Sequence, residues 1–143
     1  MLTLNDNGAL LHLSGILARM IDMQPVMAAI GQHEAQEIED RIMSGKHDPD
    51  GHAWSPWRPM RADEREAKGN AGQGLLWDEG TLLHSIMSRP ETNGVSIGTD
   101  TPYANELQDG RRNMMARPFI GWSPAGMVHA EHAVVTYLEG INK

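Results

Sequence analysis

The stretch KHDPDGHAWSPW, Lys46 to Trp57, gathers His47, Asp48, Asp50, His52, Trp54 and Trp57 into twelve positions. Two imidazoles and two carboxylates so close together are the donor types that hold a divalent metal. Two indoles three residues apart could stack a base or a sugar. The ligand spacing does not follow through. A calcium loop alternates its oxygen ligands, then needs a glycine at the sixth position and a glutamate at the twelfth. Counted from Asp48, Gly51 comes too early and Pro59 stands where the glutamate belongs. Asp48-Pro49-Asp50-Gly51 suits a β-turn better: proline fixes φ, aspartate bonds back to the backbone and glycine supplies the unusual dihedral. Trp54 and Trp57, on either side of Pro56, then read as anchors that pin this turn to a core or to a neighbouring subunit.

Other constellations fare no better as chemistry. His129 and His132 lie three apart, yet a zincin needs His-Glu-x-x-His and a third ligand. After His33-Glu34, the place of a second histidine is taken by Glu37. These read as solvated helix histidines. Gly69, Gly72 and Gly74 are followed by no phosphate-loop lysine. Gly121-Trp122-Ser123-Pro124-Ala125 lacks the second glycine of a nucleophile elbow, and Ser123 fits a helix cap. No catalytic residue, metal or cofactor is assigned.

Composition narrows the class further. The 143 residues suit one domain with a single core. With 19 acidic and 12 basic residues, the net charge of −7 argues against a phosphate-neutralising DNA-binding domain. The absence of cysteine excludes disulfides, thiolate metal sites and cysteine nucleophiles. No apolar run is long enough to span a membrane, and MLTLNDNG lacks the form of a signal peptide, so a soluble, intracellular product is expected. One phenylalanine and two tyrosines leave bulky packing to four tryptophans and ten methionines.

The elements that must position these residues follow from periodicity. Leu10, Leu13, Leu17 and Met20 predict a helix over 8–23. Pro25 opens a second helix to about Ser44, with Met27, Ala35, Ile38 and Ile42 on one side and Gln32, Gln36, Glu39 and Asp40 on the other. Gly45 stops it. RADEREAKGNAGQG, Arg61 to Gly74, has no apolar side chain beyond alanine and reads as an exposed, mobile loop. Thr81–Ser88 and the alternating Val95–Gly98 flank Asn93-Gly94 and predict a β-hairpin. Tyr103–Gly110 reads as a short helical turn, ARPFIGW as a strand or extended arm, and Ser123-Pro124 as the start of a last helix to about Glu139. The class is α+β: long N-terminal helices, a small antiparallel sheet with a hairpin, and a C-terminal helix.

In this order the pieces resemble the phage virion morphogenesis family, the tail-completion or head–tail joining proteins of Mu-like tailed phages. The resemblance rests on DPDGHAWSPW after a long helix and on LLWDEGTLLHSI, with its Leu76-x-x-x-Gly80-x-Leu82-x-x-Ser85 pattern. VSIGTDTPYANELQDG (Val95 to Gly110) and ARPFIGWS (Ala116 to Ser123) complete it, covering nearly the whole chain. Two features depart from the family: RADEREAKGNAGQG replaces a more basic segment, and Met43 stands where an aromatic often closes the long helix.

The resemblance implies a non-enzymatic virion part at the neck or tail end, made in the host cytoplasm, that completes or terminates the tail and joins it to the head. Its implied partners are its own copies in a ring, six-fold favoured, and neighbouring connector and tail-tube proteins. Genome DNA would pass through without specific binding, a passage an acidic lumen favours by repelling phosphate. No membrane is implied. Trp54, Trp57, Tyr103, Arg117, Pro118 and Phe119 are the expected structural and interface residues. Two other readings stay open: a metal-dependent enzyme or lysis factor using His47, Asp48, Asp50 and His52, and a module that binds a host protein through its tryptophans.

Overall fold

The computed structural model describes residues 5, 8–69, 72 and 74–140. Helix α1 spans Ala9–Ile21 and helix α2 Gln24–Asp40, with Pro25 in the first turn of α2. The break between them is held by Asp22, whose carboxylate accepts the Gln24 amide at 3.0 Å. There the chain bends by 61°. A π-helical turn, Arg41–Gly45, extends α2, and Lys46 ends it in the left-handed conformation with its amide bonded to the Arg41 carbonyl. Ile38 and Ile42 of the expected apolar side are buried, as are Val26 and Ile30. Gln32, Gln36 and Asp40 are exposed on the other side. Glu34 and Arg41 are buried too, which the apolar pattern did not predict.

The hairpin forms as the Asn93-Gly94 signal predicts. Strand β1, Met87–Pro90, pairs antiparallel with β2, Val95–Gly98, in the register Met87↔Gly98 to Pro90↔Val95. It packs against α2, tightly at Gly31, where a Cβ would stand 2.6 Å from Val95 Cγ2 and 2.9 Å from Ser88 Cβ. The strand expected from Thr81 starts only at Met87. Leu82 and Leu83 are both buried, and neighbouring residues of a strand point to opposite faces. A 3₁₀ turn, Leu83–Ser85, sends both leucines into the core.

The loop expected over Arg61–Gly74 is corrected as well. Pro59–Ala67 is a helix, α3, opened by its proline. What fixes it is a cation, not apolar area. Arg65 is buried, donates to the Gly74 and Trp77 carbonyls, pairs with Asp78 and lies 5.0 Å from the Trp57 ring centroid. Residues 70, 71 and 73 of that expectation lie outside the described residues.

Helix α4, Ala104–Asp109, closes on Gly110 in the left-handed conformation. Helix α5, Pro124–Glu139, is capped by Ser123, whose hydroxyl accepts the Gly126 amide at 2.9 Å. Between them ARPFIGW is an extended arm with no strand pairing. The core joins Ile38 and Ile42 to Trp54, Leu82, Leu83, Ala104 and Phe119. The seat of the hairpin on α2 is tested by Gly31→Val. Overpacking there should lower stability in urea by about 1–3 kcal/mol, and an unchanged midpoint would mean the seat is loose.

Candidate functional site

The arm from Ala116 to Gly121 enters the core as irregular backbone, and its peptide groups must be satisfied without a strand neighbour. Pro118 has no N–H to place. Its carbonyl accepts the Trp54 indole N–H at 2.8 Å. The Phe119 carbonyl accepts Arg41 Nη1 at 2.6 Å, and the Gly121 carbonyl takes a longer bond from the same nitrogen at 3.4 Å. Gln108 serves both polarities: its Oε1 accepts the Phe119 and Ile120 amides at 3.0 and 3.1 Å, and its Nε2 donates to the Ile120 carbonyl at 2.9 Å. The Arg117 amide donates to the Leu107 carbonyl, while its guanidinium reaches the Ser55 and Pro56 carbonyls, each at 2.9 Å. The Phe119 ring is wholly buried beneath this clasp. Burial pushes both arginines below the ordinary guanidinium range; at Arg41 the charges of Glu34, Glu37 and Asp48 oppose the shift.

The turn that leads into Trp54 is tied within itself. Asp48 accepts the Gly51 amide on its carbonyl and the His52 amide on its carboxylate, and its own amide donates to the His52 carbonyl. His47 and Ala53 form a bridge across its base. The second Asp48 oxygen lies 3.1 Å from His52 Nδ1, and the His47 ring bonds the Asp48 carbonyl. The His52 amide holds the Asp48 carboxyl below its usual range. Ligand atoms of Asp48, Asp50 and His52 do lie within 4.8 Å of one another. His47 is outside that group, and both Asp48 oxygens already serve the turn.

Trp57 and Tyr103 face a different feature, an open cavity of about 740 Å³. Trp57, Trp77, Tyr103, Leu107, Met114 and Met115 give it its apolar lining. Burial, with Asp78 and Glu79 adding to it, raises the Tyr103 phenol above its ordinary range. Beside this wall Lys46 donates to the Ile42 carbonyl and, at 2.8 Å, to that of Leu75. Burial, helped by Arg65, lowers its ammonium to about 8. Ser85, Thr99 and Thr101 close a ring of hydroxyl contacts at 2.5 to 3.0 Å.

Residues 4–139 match the model of the phage virion morphogenesis family. The chain belongs to that family. No curated protein and no solved structure gives a significant match. In this virion morphogenesis protein, the segments that carried the resemblance meet in space. DPDGHAWSPW supplies Trp54, Ser55 and Pro56 to the clasp, ARPFIGW supplies the arm, and YANELQDG supplies Gln108. Ser85 of LLWDEGTLLHSI bonds the threonines that follow β2.

Of the residues singled out in the sequence, the fold brings Trp54, Arg117, Pro118 and Phe119 together and leaves Trp57 and Tyr103 on the cavity. His129 is exposed as expected, yet its ring stacks on His33 of α2 at 3.6 Å. Sequence reasoning missed Arg41, Gln108 and Arg65. Arg41 had a signal, since it stands three residues after Ile38 on the apolar side of a long helix, where a charge needs a partner. Trp54→Phe keeps most of the buried ring and removes the bond to Pro118. The morphogenesis protein should lose about 1–3 kcal/mol of unfolding free energy, read by chemical denaturation; no loss would show that the arm does not need this donor.

Proposed function

We propose that this protein is a non-enzymatic structural part of the phage neck, completing or terminating the tail and joining it to the filled head as a closed ring of copies. Six copies are favoured. The observation that carries the reading is where the family's segments go. Their polar groups are spent on holding an arm and a turn, and none is arranged as a nucleophile with its base. Rigid, internally satisfied loops suit a part that must hold its shape while others dock on it.

The ring is supported by the exposed apolar side of α1, and the Trp57–Tyr103 cavity offers a further apolar surface, on other elements, for a neighbouring protein. A closed ring needs two unlike patches that meet head to tail. Tryptophan, tyrosine and methionine are the side chains that protein interfaces favour. The net charge of −7 fits a lumen past which DNA slides without sticking. Connector and tail-tube proteins are then the neighbours above and below.

The clustered Asp48, Asp50 and His52 keep a metal-dependent reading within reach of a direct check. Stoichiometric zinc or calcium in the purified protein would favour that reading over a purely structural one. For the neck role, a phage or prophage deprived of this protein should accumulate filled heads and tails separately. Tyr103→Ala, which alters the cavity rather than the clasp, should restore joining poorly while leaving the fold intact; Trp57→Ala also removes the ring beside Arg65 and should lower stability as well. Complete infectious particles made without the protein would overturn the proposal.

A further inference from the structure

Helix α1 has no buried residue, although most of its side chains are apolar. It rests on α5 at its C-terminal end, where Arg19 donates to the Leu138 carbonyl at 3.0 Å and the Tyr137 hydroxyl donates to that of Asp22 at 2.7 Å. Gly15, Ile16 and Arg19 are half-buried. The side formed by Leu10, Leu13, Leu17 and Met20 is 68, 53, 61 and 50% exposed. Met127, Val128 and Val135 of α5 are exposed as well. A helix this apolar normally has its stripe covered.

We propose that the Leu10–Leu13–Leu17–Met20 side of α1 is covered by a helix of a second copy of this chain. Three observations choose that occupant. The steps of three, four and three residues are the a/d spacing of a seam that packs knobs into the holes of another helix. With Ile21, which falls on the same side of the helix, the exposed side chains amount to roughly several hundred Å² of apolar surface. That is the upper end of the roughly 300–600 Å² found in the largest patch of a monomer, and a large part of the about 800 Å² that each partner gives a standard interface.

Charge makes the third argument. Each copy carries −7, so two copies repel wherever their carboxylates face each other. Helix α1 contains no acidic residue; its ionisable side chains are His12 and Arg19. A neighbour packed along it therefore meets no carboxylate from α1 itself, so this side adds no like-charge repulsion of its own to the contact. A lipid surface fits less well. Helices that lie on lipid carry several Lys and Arg along their polar face, whereas α1 has Arg19 alone, and that side chain is bonded to the Leu138 carbonyl.

This inference deepens the ring reading and rests on it for copy number alone. The full chain has no cysteine, so one thiol at Leu13→Cys or Leu17→Cys reports on the seam. The purified protein should sediment as an oligomer that dissociates on dilution. Thiol labelling should slow several-fold in the oligomer and recover in the monomer. Leu13→Lys combined with Leu17→Lys should abolish the oligomer while far-ultraviolet dichroism and the urea midpoint stay unchanged, because both side chains are exposed. A monomer at every concentration would overturn the proposal. So would an oligomer whose seam thiol labels freely, or partition onto anionic vesicles in place of self-association. The neck role fails separately: seam-dependent assembly together with complete particles made without the protein would refute the function and leave the interface standing.

Discussion

An extended arm in a core with no strand beside it is the constraint around which this protein is arranged. Each buried peptide group that loses water needs a partner, or it costs about 1–3 kcal/mol. Here the partners are side chains from three places: Arg41 at the end of the long helix, Trp54 after the turn, and Gln108 in α4. The arm is thereby tied to the end of the long helix, the segment after the turn and α4, and Phe119 is sealed beneath it. Few apolar contacts could substitute, since hydrogen bonds fix the register of the arm and hydrophobic area does not.

The same economy recurs elsewhere. With a single phenylalanine and two tyrosines, the chain uses buried and half-buried cations as struts. Arg65 holds α3 against the Trp77 segment, and Lys46 joins the end of the long helix to Leu75 through carbonyl bonds. Glu34 lies under the first turn of α5, where the positive end of the helix favours a carboxylate, and within the field of Arg41. Such groups position elements more than they add stability, because desolvation offsets much of what their pairing contributes.

This explains which features were legible in the sequence. The α+β class, the hairpin at Asn93-Gly94, the short helix ended by Gly110 and the capped last helix are local signals, and each formed as expected. Helix α3 was not legible. Its anchor is one arginine meeting carbonyls and an aspartate nine to thirteen residues away, which no local apolar pattern encodes. The strand from Thr81 failed for a similar reason: two adjacent leucines both face the core, and only tertiary packing decides that. In the candidate site, Trp54 and Phe119 announced themselves by size, whereas Gln108 and Arg41 act through carbonyls and amides far along the chain. The order of motifs gave the family before geometry explained why those motifs belong together.

The central claim is that the family's segments form a locked clasp and not a reactive, adjustable centre. Amide hydrogen exchange at Phe119 and Ile120, whose N–H groups both end on Gln108, tests it most directly. These two amides should exchange only with global unfolding, and Gln108→Leu should free them while α2 and α5 remain protected. Exchange at the rate of an exposed loop in the unaltered protein would contradict it.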